Sequence, residues 1–218
     1  MDRAHDLGGA QGFGVVAPDG AIFYADWEAR LFALAEVTTV AGITSGHFRD
    51  AIESMPPSAY LAASYYERWL FGLERRLQRA GTVAPGDVEA AMARLRTDDM
   101  PEQRDPVFAE RCLEAQRSGA PLATAAAPRF APGERVCVRR LRPSGHTRCP
   151  RYVRGAIGVV ERVHGEDQLA DAVARGEEAP PEAVYAVRFC SEDLFGAGGE
   201  PPFRVFVDLS ESYLEEPA

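Results

Sequence analysis

Ala120-Pro121-Leu122-Ala123-Thr124-Ala125-Ala126-Ala127-Pro128 separates two parts of this chain that have different periodicity. Upstream, apolar residues recur every three or four positions; downstream they recur every second one, so the chain reads as helices followed by strands. Just upstream, helices are expected over Asp105–Gly119 and Thr82–Arg96, the latter begun at Pro85-Gly86-Asp87. The longest expected helix opens at Ser58 and runs through Tyr60, Leu61, Tyr65, Trp69, Leu70, Leu73 and Leu77 to a Gly81 C-cap. Before it, Ser45 is expected to cap a short helix bearing Phe48, Ile52 and Met55, stopped by Pro56-Pro57. Trp27, Leu31, Leu34, Ala35, Val37, Thr38 and Ala41 make one more helical face, with Asp26 as its expected N-cap. Residues 1–25 read as an extended arm punctuated by glycines, able to lie along another surface.

Downstream of the Ala/Pro stretch, Arg135–Arg140, Gly155–Val163, Ala183–Phe189 and Arg204–Asp208 alternate as strands. Four or five short strands with a glycine-flanked turn at Gly155 predict a small closed barrel of SH3-like type. The expected class is α+β: arm and helical domain over 1–119, linker over 120–128, and SH3-like β-barrel over 129–218. No internal repeat is present. The segment 165–181 reads as a loop.

Composition narrows the chemistry. The chain has 218 residues and a formal net charge of −9, which argues against a general nucleic-acid or anionic-membrane binder. No apolar run approaches the roughly 18 residues of a membrane span, and no basic-then-apolar leader opens the chain, so the expected compartment is the cytoplasm. Every basic chain is Arg and none is Lys, which removes Schiff-base, P-loop and kinase-type chemistry. Cys112, Cys137, Cys149 and Cys190 are scattered without metal-ligand spacing, so free thiols and no metal site of this chain's own are expected.

Against that acidic background, no Asp or Glu lies between Glu134 and Glu161, while Arg135, Arg139, Arg140, Arg142, Arg148, Arg151 and Arg154 do. The centre of the cluster is Gly145-His146-Thr147-Arg148-Cys149-Pro150-Arg151-Tyr152-Val153-Arg154-Gly155. Guanidinium groups at this density, interrupted by Gly and Pro, suit an anion or a partner's oxygens.

Residues along the whole chain resemble the β subunit of bacterial nitrile hydratase. The likeness rests on His5-Asp6 followed by Gly-Gly and Gly-Phe-Gly, Trp27-Glu28, Phe48-Arg49 leading to Ile52-Glu53 and Met55, and Tyr65-Tyr66-Glu67 with Trp69. It continues through Gly145-His146-Thr147-Arg148, Arg151-Tyr152-Val153-Arg154-Gly155, Gly158-Val159-Val160, Glu192-Asp193-Leu194-Phe195-Gly196, Val207-Asp208-Leu209 and Tyr213-Leu214-Glu215.

The resemblance implies a lyase that adds water to a nitrile to give the amide. Its Co(III) or Fe(III) is held by oxidised cysteines of an obligate α subunit, as a heterodimer or heterotetramer, with no cofactor bound by this chain alone. It implies that Arg49 and Arg148 contact the oxygens of those cysteine sulfenate and sulfinate groups, and that Tyr65 stands near the substrate. Phe48 and Trp69 match pocket-wall positions. His5, Arg151 and Arg154 are expected at the interface or in structural roles, and His146 is expected to hold its loop. Cys149 departs from the family pattern, in which Met or a basic residue often follows the arginine. The partners implied are the α subunit and a small-molecule nitrile, with neither nucleic acid nor membrane. Two related alternatives are a thiocyanate hydrolase-type subunit, whose halves are usually separate chains, and a non-catalytic assembly or activator protein, which generally resembles only the N-terminal half.

Overall fold

A computed structural model describes residues 3–8, 20–95, 105–118, 127–197 and 201–217. The chain divides into two units, Ala17–Pro121 and Met1–Val16 with Leu122–Ala218. The start of the arm thus groups with the strands rather than with the helices, to which the sequence reading attached it. Its glycine run Gly9–Gly14 and most of the expected linker, 120–126, lie outside the described residues.

The helical unit contains α1 (Asp26–Val40), α2 (Phe48–Glu53), α3 (Pro57–Ala62), α4 (Tyr65–Arg79), α5 (Asp87–Leu95) and α6 (Pro106–Ser118). Asp26 is the first helical residue of α1 rather than its cap. Ala25 holds the extended cap position, and the Glu28 carboxylate accepts from the N–H groups of Tyr24 and Ala25. His47, not Ser45, precedes α2 and makes no side-chain cap.

The single long helix expected from Ser58 is two helices. The backbone turns extended at Ala63 and restarts at Ser64. The Ser64 hydroxyl accepts the Glu67 N–H at 3.3 Å, while the Glu67 carboxylate accepts the Ser64 N–H at 2.6 Å. That reciprocal cap is a local signal strong enough to interrupt a continuing apolar stripe. Gly81 ends α4 as expected: at φ +71° it lets the N–H groups of Gly81 and Thr82 reach the carbonyls of Gln78 and Leu77, each at 3.0 Å. Asp105 caps α6 through the Phe108 N–H at 2.9 Å.

Leu31, Ala35, Tyr66 and Leu73 form the small core of this unit, with Phe23, Trp69 and Leu77 against it. Helix α2 lies close on α4 at Gly72, where a Cβ would sit 2.6 Å from Ile52 Cγ1 and 3.4 Å from the Ile52 backbone nitrogen. Two arginines of α4 complete the contact. Buried Arg76 donates to the Gly46 carbonyl at 3.1 Å and the Thr39 hydroxyl at 3.0 Å, and Arg79 pairs with buried Asp50 of α2 at 3.0 Å.

The second unit is built on β1 (Arg135–Val138), β2 (Ile157–Asp167), β3 (Glu182–Cys190), β4 (Arg204–Ser210) and β5 (Leu214–Glu215). They form one antiparallel sheet in the order β4-β3-β2-β1-β5. The closed SH3-like barrel expected from the strand pattern is not formed: among the described residues no ladder joins the edge strands β4 and β5, so the sheet is open. It is nevertheless strongly curled. A three-residue 3-10 turn, Glu211–Tyr213, carries the chain from one edge to the other. Such a turn rises only about 6 Å, whereas the outer strands of a flat five-stranded sheet lie about 19 Å apart. Register shifts in β2, between Val160 and Arg162 and between Val163 and Gly165, supply bending.

Inside the curl lie Phe130, Val136, Val138, Val153, Val160, Tyr185, Val187, Phe189, Leu209, Tyr213 and Leu214. The segment 165–181 is not wholly loop. It contains the end of β2 and the short helix α7 (Ala170–Arg175), closed by Gly176 at φ +73°. A further helix, α8 (Ser191–Phe195), follows β3.

Replacing Gly72 by Ala sets a helix-propensity gain of about 1 kcal/mol against overpacking of about 1–3 kcal/mol. With the Ile52 backbone directly behind the clashing Cγ1, overpacking wins. Thermal unfolding of the purified protein should show a midpoint lowered by about 3 °C for Gly72→Ala; an unchanged or raised midpoint would mean that α2 can move away from α4 without cost.

Candidate functional site

In the sheet unit, the arginine-rich segment forms one wall of a cleft of about 210 Å³, lined by His5, Asp6, Gly8, Thr147, Arg148, Cys149, Pro150 and Tyr152. The other wall is the start of the arm. Residues Arg3–Leu7 turn on themselves through bonds from Asp6 N–H to the Arg3 carbonyl and from Leu7 N–H to the His5 carbonyl, both 3.0 Å. Gly8 then passes over the Tyr152 ring so closely that a Cβ would stand 2.3 Å from the ring carbons, so a side chain at this point would lift the arm.

Asp6 fixes the arm to the cluster. Its carboxylate accepts the Arg151 backbone N–H at 3.1 Å and lies 3.8 Å from the Arg154 guanidinium, both side chains of that pair being buried. Arg154 itself is directed inward: Nε and Nη2 donate to the Cys149 carbonyl at 3.2 and 2.9 Å, and Nη1 to the Leu141 carbonyl at 3.4 Å. Its fork therefore ties two loop carbonyls together instead of facing solvent. Tyr152 packs on Phe195 with ring centroids 5.8 Å apart, and burial, then the Asp6 charge, raises its hydroxyl's pKa.

The short run from Thr147 to Cys149 is held at its main chain. The Tyr213 hydroxyl, 2% exposed as a residue, accepts the Arg148 N–H at 3.2 Å and the Thr147 hydroxyl at 3.3 Å, and donates to the Asp171 carboxylate. Thr147 in turn accepts the Cys149 N–H at 3.2 Å. His146 and Thr147 are buried beside it, while the Arg148 side chain is exposed at the cleft. A fixed backbone beneath an exposed guanidinium is suited to presenting a fork of donors to an anionic or strongly polar oxygen. His5 lines the same cleft, on the arm, and Arg151 contributes its backbone while its side chain is exposed.

The remaining predicted residues belong to the helical unit. Arg49 is the second residue of α2 and is exposed; Phe48, just before it, meets Trp69 edge-on at 4.7 Å. Trp69 also faces Tyr65 at 5.9 Å and Phe32 at 5.7 Å, and Tyr65 stacks edge-on against Tyr66 at 5.1 Å. Phe48, Tyr65 and Trp69 therefore make one aromatic cluster, of which Tyr65 is the outer member at 61% exposure. The structure brings His5, Arg148, Arg151 and Arg154 together in one unit, and Arg49, Phe48, Tyr65 and Trp69 together in the other.

Sequence reasoning missed the residues that hold these groups: Asp6 as an acceptor, Tyr213 and Asp171 beneath Arg148, and Arg76, Arg79 and Asp50 beside Arg49. Only the Ser64-to-Glu67 spacing offered a local signal. The others are separated in sequence from what they hold; Tyr213 is 65 positions from Arg148. Among the described residues, no three His, Cys, Asp or Glu side chains gather as metal donors, and no helix is long and apolar enough to cross a membrane.

Cys149 is fully enclosed, and burial pushes its thiol up to about 11, against the opposing pull of Arg154. A thiol so protonated is no nucleophile near neutrality. Because the folded pKa lies above the ordinary 9.0, the stability linked to this thiol is fully present below pH 9 and is lost as pH rises toward 11. Denaturant unfolding at pH 8 and pH 10.5 should show a smaller loss for Cys149→Ala than for the unaltered chain. Equal losses would place the thiolate in a solvated setting.

The family described as nitrile hydratase beta subunit, N-terminal, matches residues 1–118, and its counterpart, nitrile hydratase beta subunit, C-terminal, matches residues 120–216. The low-molecular weight cobalt-containing nitrile hydratase subunit beta of Rhodococcus rhodochrous is 34% identical, over 98% of this chain and 99% of its own. The cobalt-containing nitrile hydratase subunit beta of Pseudonocardia thermophila is 32% identical, over 99% and 96%. A thiocyanate hydrolase structure from Thiobacillus thioparus shares 26% identity over 54% of this chain and 100% of its own, at a TM-score of 0.42 that carries no weight.

Proposed function

The chain belongs to the nitrile hydratase β-subunit family, and on that premise we propose that it works by presenting Arg49 and Arg148 to oxidised cysteine oxygens of a metal-bearing α subunit. It is a β subunit of an enzyme that hydrates nitriles to amides. The observation that carries the proposal is the extent of the match. Both halves are present in one chain, so both arginine-bearing segments, Phe48-Arg49 and Gly145–Arg148, fall within matched residues. An activator resembling the N-terminal half alone would lack the second, and separate chains would be expected of a thiocyanate hydrolase-type subunit.

We place the metal on the partner, as the resemblance implies; among the described residues of this chain no three His, Cys, Asp or Glu side chains gather as metal donors. Two relatives are named as cobalt-containing, which supports a metal in the complex. This chain's own contribution is binding and orientation. Sulfenate and sulfinate oxygens are anionic acceptors, and arginine offers donors in a fixed geometry that stays charged at any working pH. Arg148 stands on a clamped backbone and Arg49 on a helix held against α4, which supports the reading that each presents its fork to a partner's oxygen. Tyr65 is the outward hydroxyl of the aromatic cluster and is assigned to the substrate side, with Phe48 and Trp69 as wall.

Exposed apolar groups in the helical unit, among them Ile22, Tyr24, Leu61, Tyr65 and Leu70, support an obligate partner. All four cysteines are free, which fits the reducing cytoplasm as the compartment.

Co-expression with an α-type subunit, supplied with cobalt or iron, should give amide from a simple nitrile only when both chains are present. Arg148→Lys and Arg49→Lys should each lower turnover about 10–100-fold with the heteromer intact on gel filtration. Full activity in both variants would overturn the assignment of the two arginines.

A further inference from the structure

Arg148 acts on a partner's oxygens best from a fixed main chain, and a buried phenol accepts its backbone N–H. The Tyr213 hydroxyl takes the Arg148 N–H at 3.2 Å and the Thr147 hydroxyl at 3.3 Å, and gives its own proton to the Asp171 carboxylate. Thr147 passes the restraint on to Cys149 through a further bond of 3.2 Å. Asp171 belongs to the short helix α7, and Tyr213 to the turn that joins the two edges of the sheet. Two elements distant in sequence thus converge on the residue whose side chain faces the cleft.

From this arrangement we infer that Tyr213 and Asp171 are a positioning pair for Arg148 in nitrile hydration. This rests on the reading of Arg148 given above. The carboxylate polarises the phenol, and a polarised phenol oxygen is a better acceptor for the two donors that converge on it. The pair is enclosed: burial, reinforced by Asp171, holds the Tyr213 hydroxyl well above the ordinary phenol range, so it remains a donor to Asp171 throughout the working pH. Loss of the hydroxyl leaves the Arg148 N–H and the Thr147 hydroxyl without this acceptor. The loop then has other arrangements open to it, and the guanidinium samples positions away from the sulfur oxygens. A misplacement of about 1 Å at a group far from the bond-making atoms can cost two orders of magnitude in rate.

The effect expected is on turnover rather than on substrate binding, because in this reading the pair acts through the Arg148 backbone. Measured on the co-expressed α–β complex with acrylonitrile as substrate, Tyr213→Phe should lower kcat about tenfold with KM unchanged. Asp171→Asn, which keeps an acceptor but removes the charge, should give a smaller loss in the same direction and serves if Tyr213→Phe fails to assemble. The deciding comparison places each change in the Arg148→Lys background. A positioning role predicts that neither Tyr213→Phe nor Asp171→Asn then lowers kcat further, since the arginine they position is gone.

Equal fold losses in both backgrounds, or full activity of Tyr213→Phe and Asp171→Asn beside a crippled Arg148→Lys, would overturn the positioning role and leave the arginine assignment standing. Full activity of Arg148→Lys itself would overturn the assignment of Arg148 and the positioning role together.

Discussion

A buried phenol oxygen can accept two hydrogen bonds while its proton goes to a third group, and the sheet unit uses that capacity at two places outside its ladders. Tyr213 gathers Thr147, Arg148 and Asp171. Tyr185 does the same at the entry to the sheet, accepting the N–H groups of Arg129 and Phe130 at 2.9 and 3.3 Å and donating to Glu211. In both cases a segment without regular ladder bonds approaches the core, where an unmatched backbone N–H would cost roughly 1–3 kcal/mol. The phenol removes that cost from inside the core while its ring fills the curl of the sheet. The arm-to-cluster contact at Asp6 and the cleft it encloses depend on the loop being set in this way.

The helical unit solves a similar problem with arginine. Helix α2 is only six residues long and has no side-chain cap, so it could not persist alone. Its placement comes from Gly72, which lets it lie close, and from Arg76 and Arg79, which reach from α4 to the Gly46 carbonyl and the Asp50 carboxylate. Burial lowers the Arg76 pKa, yet a guanidinium stays charged from so high a starting point. Arginine therefore plays two parts. Arg76 and Arg154 face inward and bind carbonyls of their own chain, while Arg49 and Arg148 are exposed.

How much of this was legible follows from the range of the interactions. The change of period at the Ala/Pro stretch gave the α+β class, and local patterns located the strands and the Gly81 stop. The division of the Ser58 helix was also written locally, in Ser64 and Glu67, but the apolar stripe running through it hid the signal. Closure of the sheet was not legible. Strand count suggested a barrel, whereas whether edge strands meet depends on register shifts and turn length, which alternation does not encode. The resemblance singled out Arg49 and Arg148 by motif. The groups that hold them were invisible because Tyr213 and Asp171 lie 65 and 23 positions downstream of Arg148, and nothing local marks them.

The acidic balance of the chain takes on a different meaning once these contacts are known. A net charge of −9 surrounds a segment with no acid between Glu134 and Glu161, so the carboxylates that meet this segment must come from elsewhere. Asp6 arrives from the arm and bonds the Arg151 backbone beside Arg154; Asp171 arrives from α7 and reaches Arg148 only through Tyr213. Each acts on the loop that carries Arg148. Relaying Asp171 through a phenol lets an acid remote in sequence organise the backbone of a segment that has no carboxylate of its own.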